Sequence, residues 1–165
     1  MPSDFAAEVY VQAIAIEREA AERYGEFAER MAREGNFAVA ALFRLLSTLE
    51  AKHLDELKRR TAKMNLPPLE ADYSWPGPEA PETLARGAEL ARGMTQRRAL
   101  EMALQAEKRA RAFFEQAARV ADDADARTLA REMAAEEAEH AELIERMLSR
   151  MPGGAVDWPV DMSRD

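Results

Sequence analysis

The chain has 165 residues, 47% of them hydrophobic, a net charge of −8 and no cysteine. That is enough chain for one domain with a real core and too hydrophobic a mixture for disorder. The acidic balance runs against a nucleic-acid-binding face, and the lack of cysteine excludes disulfides, iron–sulfur clusters, thiolate zinc sites and thiol nucleophiles within this chain.

The first predicted element is a long helix from Asp4 to about Arg33, with Asp4 as N-cap and Gly35-Asn36 as the stop. A second helix is expected from about Asn36, which is placed to cap it, to Met64. Residues 65–81, NLPPLEADYSWPGPEAP, hold five of the eight prolines and read as an extended linker. Pro81 can open a short helix that Gly87 and Gly93 weaken, so residues 65–94 form a crossover. Thr95 reads as the N-cap of a third long helix, to about Ala121. The run Asp122-Asp123-Ala124-Asp125 is a turn and cap. A fourth long helix follows to about Met151, where Pro152-Gly153-Gly154 ends it. Residues 152–165, which include Trp158, form a tail without helical pattern.

Two short turns flank one long connection. Short turns make antiparallel neighbours, and a long connection lets the chain cross the bundle before re-entering it. A helix of about 27 residues is about 40 Å long, and linker residues at about 3.3 Å each can cover that. The expectation is an all-α, antiparallel four-helix bundle over residues 1–151.

Each long helix carries a stripe with steps of three and four, the mark of a face turned to a bundle core. The stripes run through Tyr10, Ala13, Glu17, Ala20, Tyr24 and Phe27; through Val39, Phe43, Leu46, Glu50, His53 and Leu57; through Leu100, Ala103, Glu107, Ala110 and Phe114; and through Ala130, Met133, Glu137, His140 and Ile144. They are apolar except in the middle. There every helix places a Glu, and two add the chain's only histidines. A buried, unpaired carboxylate costs on the order of several kcal/mol, so four in one core need a common explanation.

In an antiparallel hairpin, residues equidistant from the turn share a height. Glu17 and Glu50 have their midpoint between positions 33 and 34, beside the first turn. Glu107 and Glu137 have theirs at 122, in the second. The halves also match each other: EREAAERY (17–24) with EKRARAFF (107–114), and EAKH (50–53) with EAEH (137–140). The pattern is an internal repeat of a hairpin, each half giving one Glu and one Glu-x-x-His. Residues at i and i+3 lie on one helix face, which lets each Glu-x-x-His bracket one centre. Four carboxylates balance two divalent cations; without metal, some must take up protons. Mixed carboxylate and imidazole ligands suit iron or manganese better than calcium or structural zinc. Glu136 also lies one turn from His140 and competes with Glu137 for the ligand role; the repeat favours Glu137. Tyr24, Phe43 and Phe114 read as core packing, with a sharper alternative in which Tyr24 hydrogen-bonds a ligand or relays an electron.

On these motifs the chain resembles the rubrerythrin branch of the ferritin-like superfamily, a ligand rule general to di-metal carboxylate bundles. The resemblance covers residues 4–151. It implies a ferritin-like bundle with a long crossover between helices two and three, and a site holding two iron ions, with manganese or zinc as alternatives. It implies Glu50 and Glu137 as bridging carboxylates, Glu17 and Glu107 as terminal ones, and His53 and His140 as one nitrogen ligand per metal. Two features depart from the family pattern. No cysteine is present for a rubredoxin-like domain, so an external electron donor is required. Ala110 stands where many relatives have a further Glu.

The implied function is a di-iron oxidoreductase reacting with O2 or H2O2, as a peroxide scavenger or an oxidase of Fe(II). The alternatives are a non-catalytic metal-binding, iron-storage or sensing bundle, and a purely structural bundle whose Glu and His pair with each other or with arginines. No stretch of about 18 apolar residues could span a membrane, and MPSDFAAEVY is not a secretory signal. The expected setting is cytoplasmic, without nucleic acid, as a homodimer or larger homo-oligomer.

Overall fold

The computed structural model describes residues 4–68 and 95–151. The remaining crossover, the short helix expected after Pro81 and the tail with Trp158 lie outside the described residues. The described residues form four helices: α1 (Asp4–Arg33), α2 (Phe37–Thr61), α3 (Gln96–Val120) and α4 (Ala124–Arg150). Among the described residues there is no strand. The expected ferritin-like four-helix bundle is the architecture found.

Local chemistry sets the helix ends. Thr95 accepts from the Arg98 amide at 3.0 Å, and Asp123 from the Ala126 amide at 2.8 Å. Each satisfies an amide that the first turn leaves without a helical partner. Gly35 takes φ +81°. Its amide bonds to the Ala32 carbonyl and the Asn36 amide to the Met31 carbonyl, the double closure of a Schellman turn. Asn36 stands at the N-cap of α2 as expected, but it caps through its backbone and not its side chain. Its backbone closes α1, its carbonyl starts α2 at Ala40, and its side-chain amide points to Met31 Sδ instead. The second helix also ends at Thr61, not Met64. The Thr61 hydroxyl bonds back to the Leu57 carbonyl at 2.8 Å, and Met64 packs on the core from the following turn.

Cross-helix contacts define the topology. Phe5 at the start of α1 packs with Ala121 and Ala126 at the α3–α4 turn. Arg97 at the start of α3 bonds to the Leu148 carbonyl near the end of α4. Arg60 late in α2 pairs with Glu132 early in α4. So α1 runs antiparallel to both α2 and α3. It follows that α2 and α3 are parallel, with the end of α2 and the start of α3 at opposite ends of the bundle.

The stripes read from the sequence face inward. Phe43, Phe114, Leu46, Leu100 and Ile144 are fully buried. Phe43 touches Tyr24 and Phe27 with ring centroids 5.8 and 5.2 Å apart, giving an aromatic layer between the cluster and the α1–α2 turn. Phe114 fills the matching layer on the other side. Burial of large side chains of this kind stabilises by about 1.5–3 kcal/mol each. His53 departs from its stripe: its side chain keeps 18% exposure, against 5% for His140, because it sits at a cleft between α2 and α4.

The turn offers a direct check. Gly35→Ala forces a Cβ into the left-handed region and is expected to cost about 1 kcal/mol. Gly35→Asn should cost less, because Asn adopts that region more readily. Urea denaturation of the two variants measures the difference.

Candidate metal centre

At mid-height the apolar stripes are interrupted together. Glu17, Glu50, Glu107 and Glu137 are each at most 2% exposed, one from each helix, and His140 joins them at 4%. Two groups form. Glu50, Glu107, Glu137 and His140 offer ligand atoms within 4.8 Å of one another, and so do Glu17, Glu50 and His53. Glu50 belongs to both. One of its oxygens lies 2.8 Å from His140 Nδ1 and the other 3.6 Å from His53 Nδ1. Glu17 is 3.5 Å from His53 Nδ1, while Glu107 and Glu137 are 3.7 and 3.8 Å from His140 Nδ1. The imidazole rings lie nearly parallel, 5.4 Å apart. All six side chains named from the sequence share one small volume.

The second-turn choice between neighbouring glutamates has a clear geometry. Glu137 points into the cluster. Glu136 is turned out by about one helical step, and its carboxylate reaches across to His53 Nε2 at 2.9 Å. Sequence reading treated Glu136 as a rival of Glu137 and missed this role. The signal was in the repeat, which places a carboxylate at 136 where the first half has Leu49. Tyr24, given first as packing, also hydrogen-bonds: its hydroxyl donates to Glu107, with the Ala103 carbonyl 3.5 Å away. Its counterpart Phe114 has no polar atom to offer.

The electrostatics show what the arrangement lacks. Burial, then the neighbouring Glu50 charge, pushes the Glu17 carboxyl well above its ordinary value. Burial and the charges of Glu50 and Glu107 do the same to Glu137. Burial also favours the neutral form of Glu50, but the close approach of Glu17, His140 and His53 overrides it and holds its pKa down. Burial opposes charge on His53, yet the contacts with Glu136, Glu17 and Glu50 outweigh it and lift the imidazole to about 12. His140, opposed by burial in the same way, is lifted to about 10 by Glu107 and Glu50. Without a metal, protons do the neutralising.

They do it poorly. Both oxygens of Glu17, both of Glu50, one of Glu137 and the Nδ1 atoms of both histidines are buried without an aligned hydrogen bond. Buried polar atoms are nearly always satisfied, so a convergent set of orphans marks a missing partner. Every orphan here is a metal-ligand atom: carboxylate oxygen or imidazole nitrogen. The Nε2–H of His53, held by Glu136, leaves its Nδ1 lone pair for the cluster in the neutral ring. The residues present fit a pair of cations, and the cluster is able to hold metal.

A four-helix bundle with a buried, four-carboxylate, two-imidazole cluster at its middle is the architecture of the ferritin-like metal-binding proteins. The sequence model of the rubrerythrin family matches residues 8–86 and 98–159. The chain belongs to the rubrerythrin family. It is similar to the crystal structure of an uncharacterized conserved protein from Magnetospirillum magnetotacticum MS-1, with 34% identity and a TM-score of 0.75 over 88% of this chain and 95% of that one. No curated protein matches. Family and cluster together point to a di-iron protein. No helix among the described residues is long and apolar enough to cross a membrane.

The protonation pattern has a definite sign in the metal-free protein. His53 and His140 have folded pKa values above their ordinary 6.5, so their stabilisation is full below that pH and is lost as pH rises towards about 10 and 12. Glu17 and Glu137, also raised, act in the same direction above their ordinary 4.5. Glu50, lowered, is the opposite case: its contribution is present above 4.5 and lost on acidification below it. Denaturation of the chelated protein should therefore show stability falling as pH rises from 6.5 to 10. Metal binding over the same range should release protons and tighten with pH, which calorimetry in buffers of different ionisation enthalpy would register.

Proposed function

We propose that the chain is a di-iron carboxylate protein of the oxidoreductase type, which reacts with O2 or peroxide to scavenge peroxide or to oxidise Fe(II). The observation that carries this is the set of orphaned buried carboxylate oxygens and imidazole Nδ1 atoms converging on one volume. In this reading Glu17, Glu50 and His53 hold one metal, and Glu107, Glu137, His140 and Glu50 the other. Glu50, with an oxygen toward each imidazole, would serve both metals, and the family resemblance implies Glu137 as the other shared carboxylate. A bound iron pair supplies two-electron redox chemistry at this place. The protein's own residues keep the pair in position. Tyr24 fixes one Glu107 oxygen and leaves the other for the cluster. The apolar layers around Phe43 and Phe114 exclude water from above and below. Glu17 and Glu137 surrender protons as cations load.

The second reading is metal storage or sensing without turnover, which the same buried cluster would also serve. Reoxidation of the reduced, iron-loaded protein separates the two. Acceleration by H2O2 or by O2 over free iron is expected, and the faster oxidant tells scavenging from Fe(II) oxidation. If neither accelerates it, the oxidoreductase reading fails and reversible storage remains.

Glu50→Ala or Glu137→Ala should lose one or both metals while circular dichroism stays largely helical. In the metal-free protein Glu137→Ala relieves repulsion, so its thermal stability should hold or rise, whereas Glu50→Ala removes the carboxylate that both imidazoles face and should lower it. Two tightly held metals in either variant would mean that the ligand assignment is wrong.

A further inference from the structure

The internal repeat breaks at one position beside the histidines. Glu50-Ala51-Lys52-His53 aligns with Glu137-Ala138-Glu139-His140, so the preceding residues align as well: Leu49 with Glu136. Both stand on the same cleft of about 470 Å³ between α2 and α4, and both imidazoles line it. Glu136 reaches the histidine of the other hairpin, with Oε2 2.9 Å from His53 Nε2. At the aligned position Leu49 has no charge and no acceptor. The two rings are thus nearly parallel, with an interplanar angle of 6°, yet differ in chemistry.

A carboxylate on the outer nitrogen of a ligating imidazole fixes the ring's tautomer and rotation and strengthens the inner nitrogen as a donor. For His53 that inner nitrogen is Nδ1, which faces Glu17 and Glu50 at 3.5 and 3.6 Å. We infer that Glu136 is a positioning residue for the metal at Glu17, Glu50 and His53, and that the metal at Glu107, Glu137 and His140 has no such support among the described residues. The two metals are then bound inequivalently, although the ligands themselves are nearly symmetric. This rests on the two-metal reading above.

Cobalt(II) serves as the probe, followed by visible absorption and calorimetry. The wild-type chain should take up two equivalents. Glu136→Leu, which copies the other half of the repeat, should weaken one binding step by about 10–100-fold and leave the other unchanged. Glu136→Gln keeps an acceptor for the Nε2–H and should lose less. Single-histidine backgrounds assign the step: Glu136→Leu should weaken cobalt binding in His140→Ala and have no effect in His53→Ala. Leu49→Glu should tighten binding in His53→Ala, where only the His140 position remains. Equal weakening of both steps, no weakening of either, or the same effect in both backgrounds would overturn the inference while the two-metal reading stands. A wild-type chain that takes up no second equivalent would instead overturn that reading, and the inference with it.

Discussion

Four carboxylates held out of water in one layer are the constraint on which the rest of this bundle depends. A single unpaired charge in such a core costs several kcal/mol, and here one comes from each helix. The chain meets that cost in two ways. Metal-free, it recruits protons and both imidazoles, at the price of buried atoms left without aligned partners. Loaded, cations would replace the protons and complete those bonds. The apolar layers matter because they make the choice unavoidable: with Phe43 and Leu46 on one side and Phe114 and Leu57 on the other, water cannot enter along the bundle axis to solvate the charge.

The fold was legible in the sequence because its determinants are local and periodic. Caps such as Thr95 and Asp123 act within one turn, and steps of three and four recur over whole helices. The pairing of helices was legible because two short turns leave no other arrangement, and equidistance from each turn set the height of each Glu. The place of Asn36 was equally local: directly after a glycine, its amide closes the helix that ends and its carbonyl opens the one that begins, without its side chain. The sequence placed the cluster but not which side chain touches which across the two hairpins. The reach of Glu136 to His53, and of Tyr24 to Glu107, depends on how far each helix is rotated against a neighbour remote in the chain. No periodicity encodes that rotation.

Those contacts also show how a repeated hairpin becomes two unlike halves. The ligand types repeat. The residues behind them do not: Tyr24 against Phe114, Glu136 against Leu49. In each pair one half offers a polar atom to the cluster and the other only packing. Changes of this kind leave core volume and helix register nearly untouched, so the fold tolerates them. They act on ligand orientation and basicity, which is where a metal site is tuned.

The same geometry ties folding to the site. Packing is heaviest within each hairpin, α1 with α2 and α3 with α4, and lighter between the two. Yet at the level of the cluster three polar links cross that seam: Tyr24 to Glu107, His140 to Glu50, and His53 to Glu136. The cluster is therefore a clamp between two hairpins as well as a cavity for cations. In the protonated form shared protons and charged imidazoles offset the repulsion between the carboxylates, and the clamp weakens as those protons leave. Cations bound by Glu50 from one hairpin and by Glu107 and Glu137 from the other would make the seam the strongest joint in the molecule. Binding free energy at such a place is also folding free energy. The residues that could hold cations and the residues that join the halves are the same, which is why the cluster can be buried so completely in a bundle whose hairpins otherwise touch so lightly.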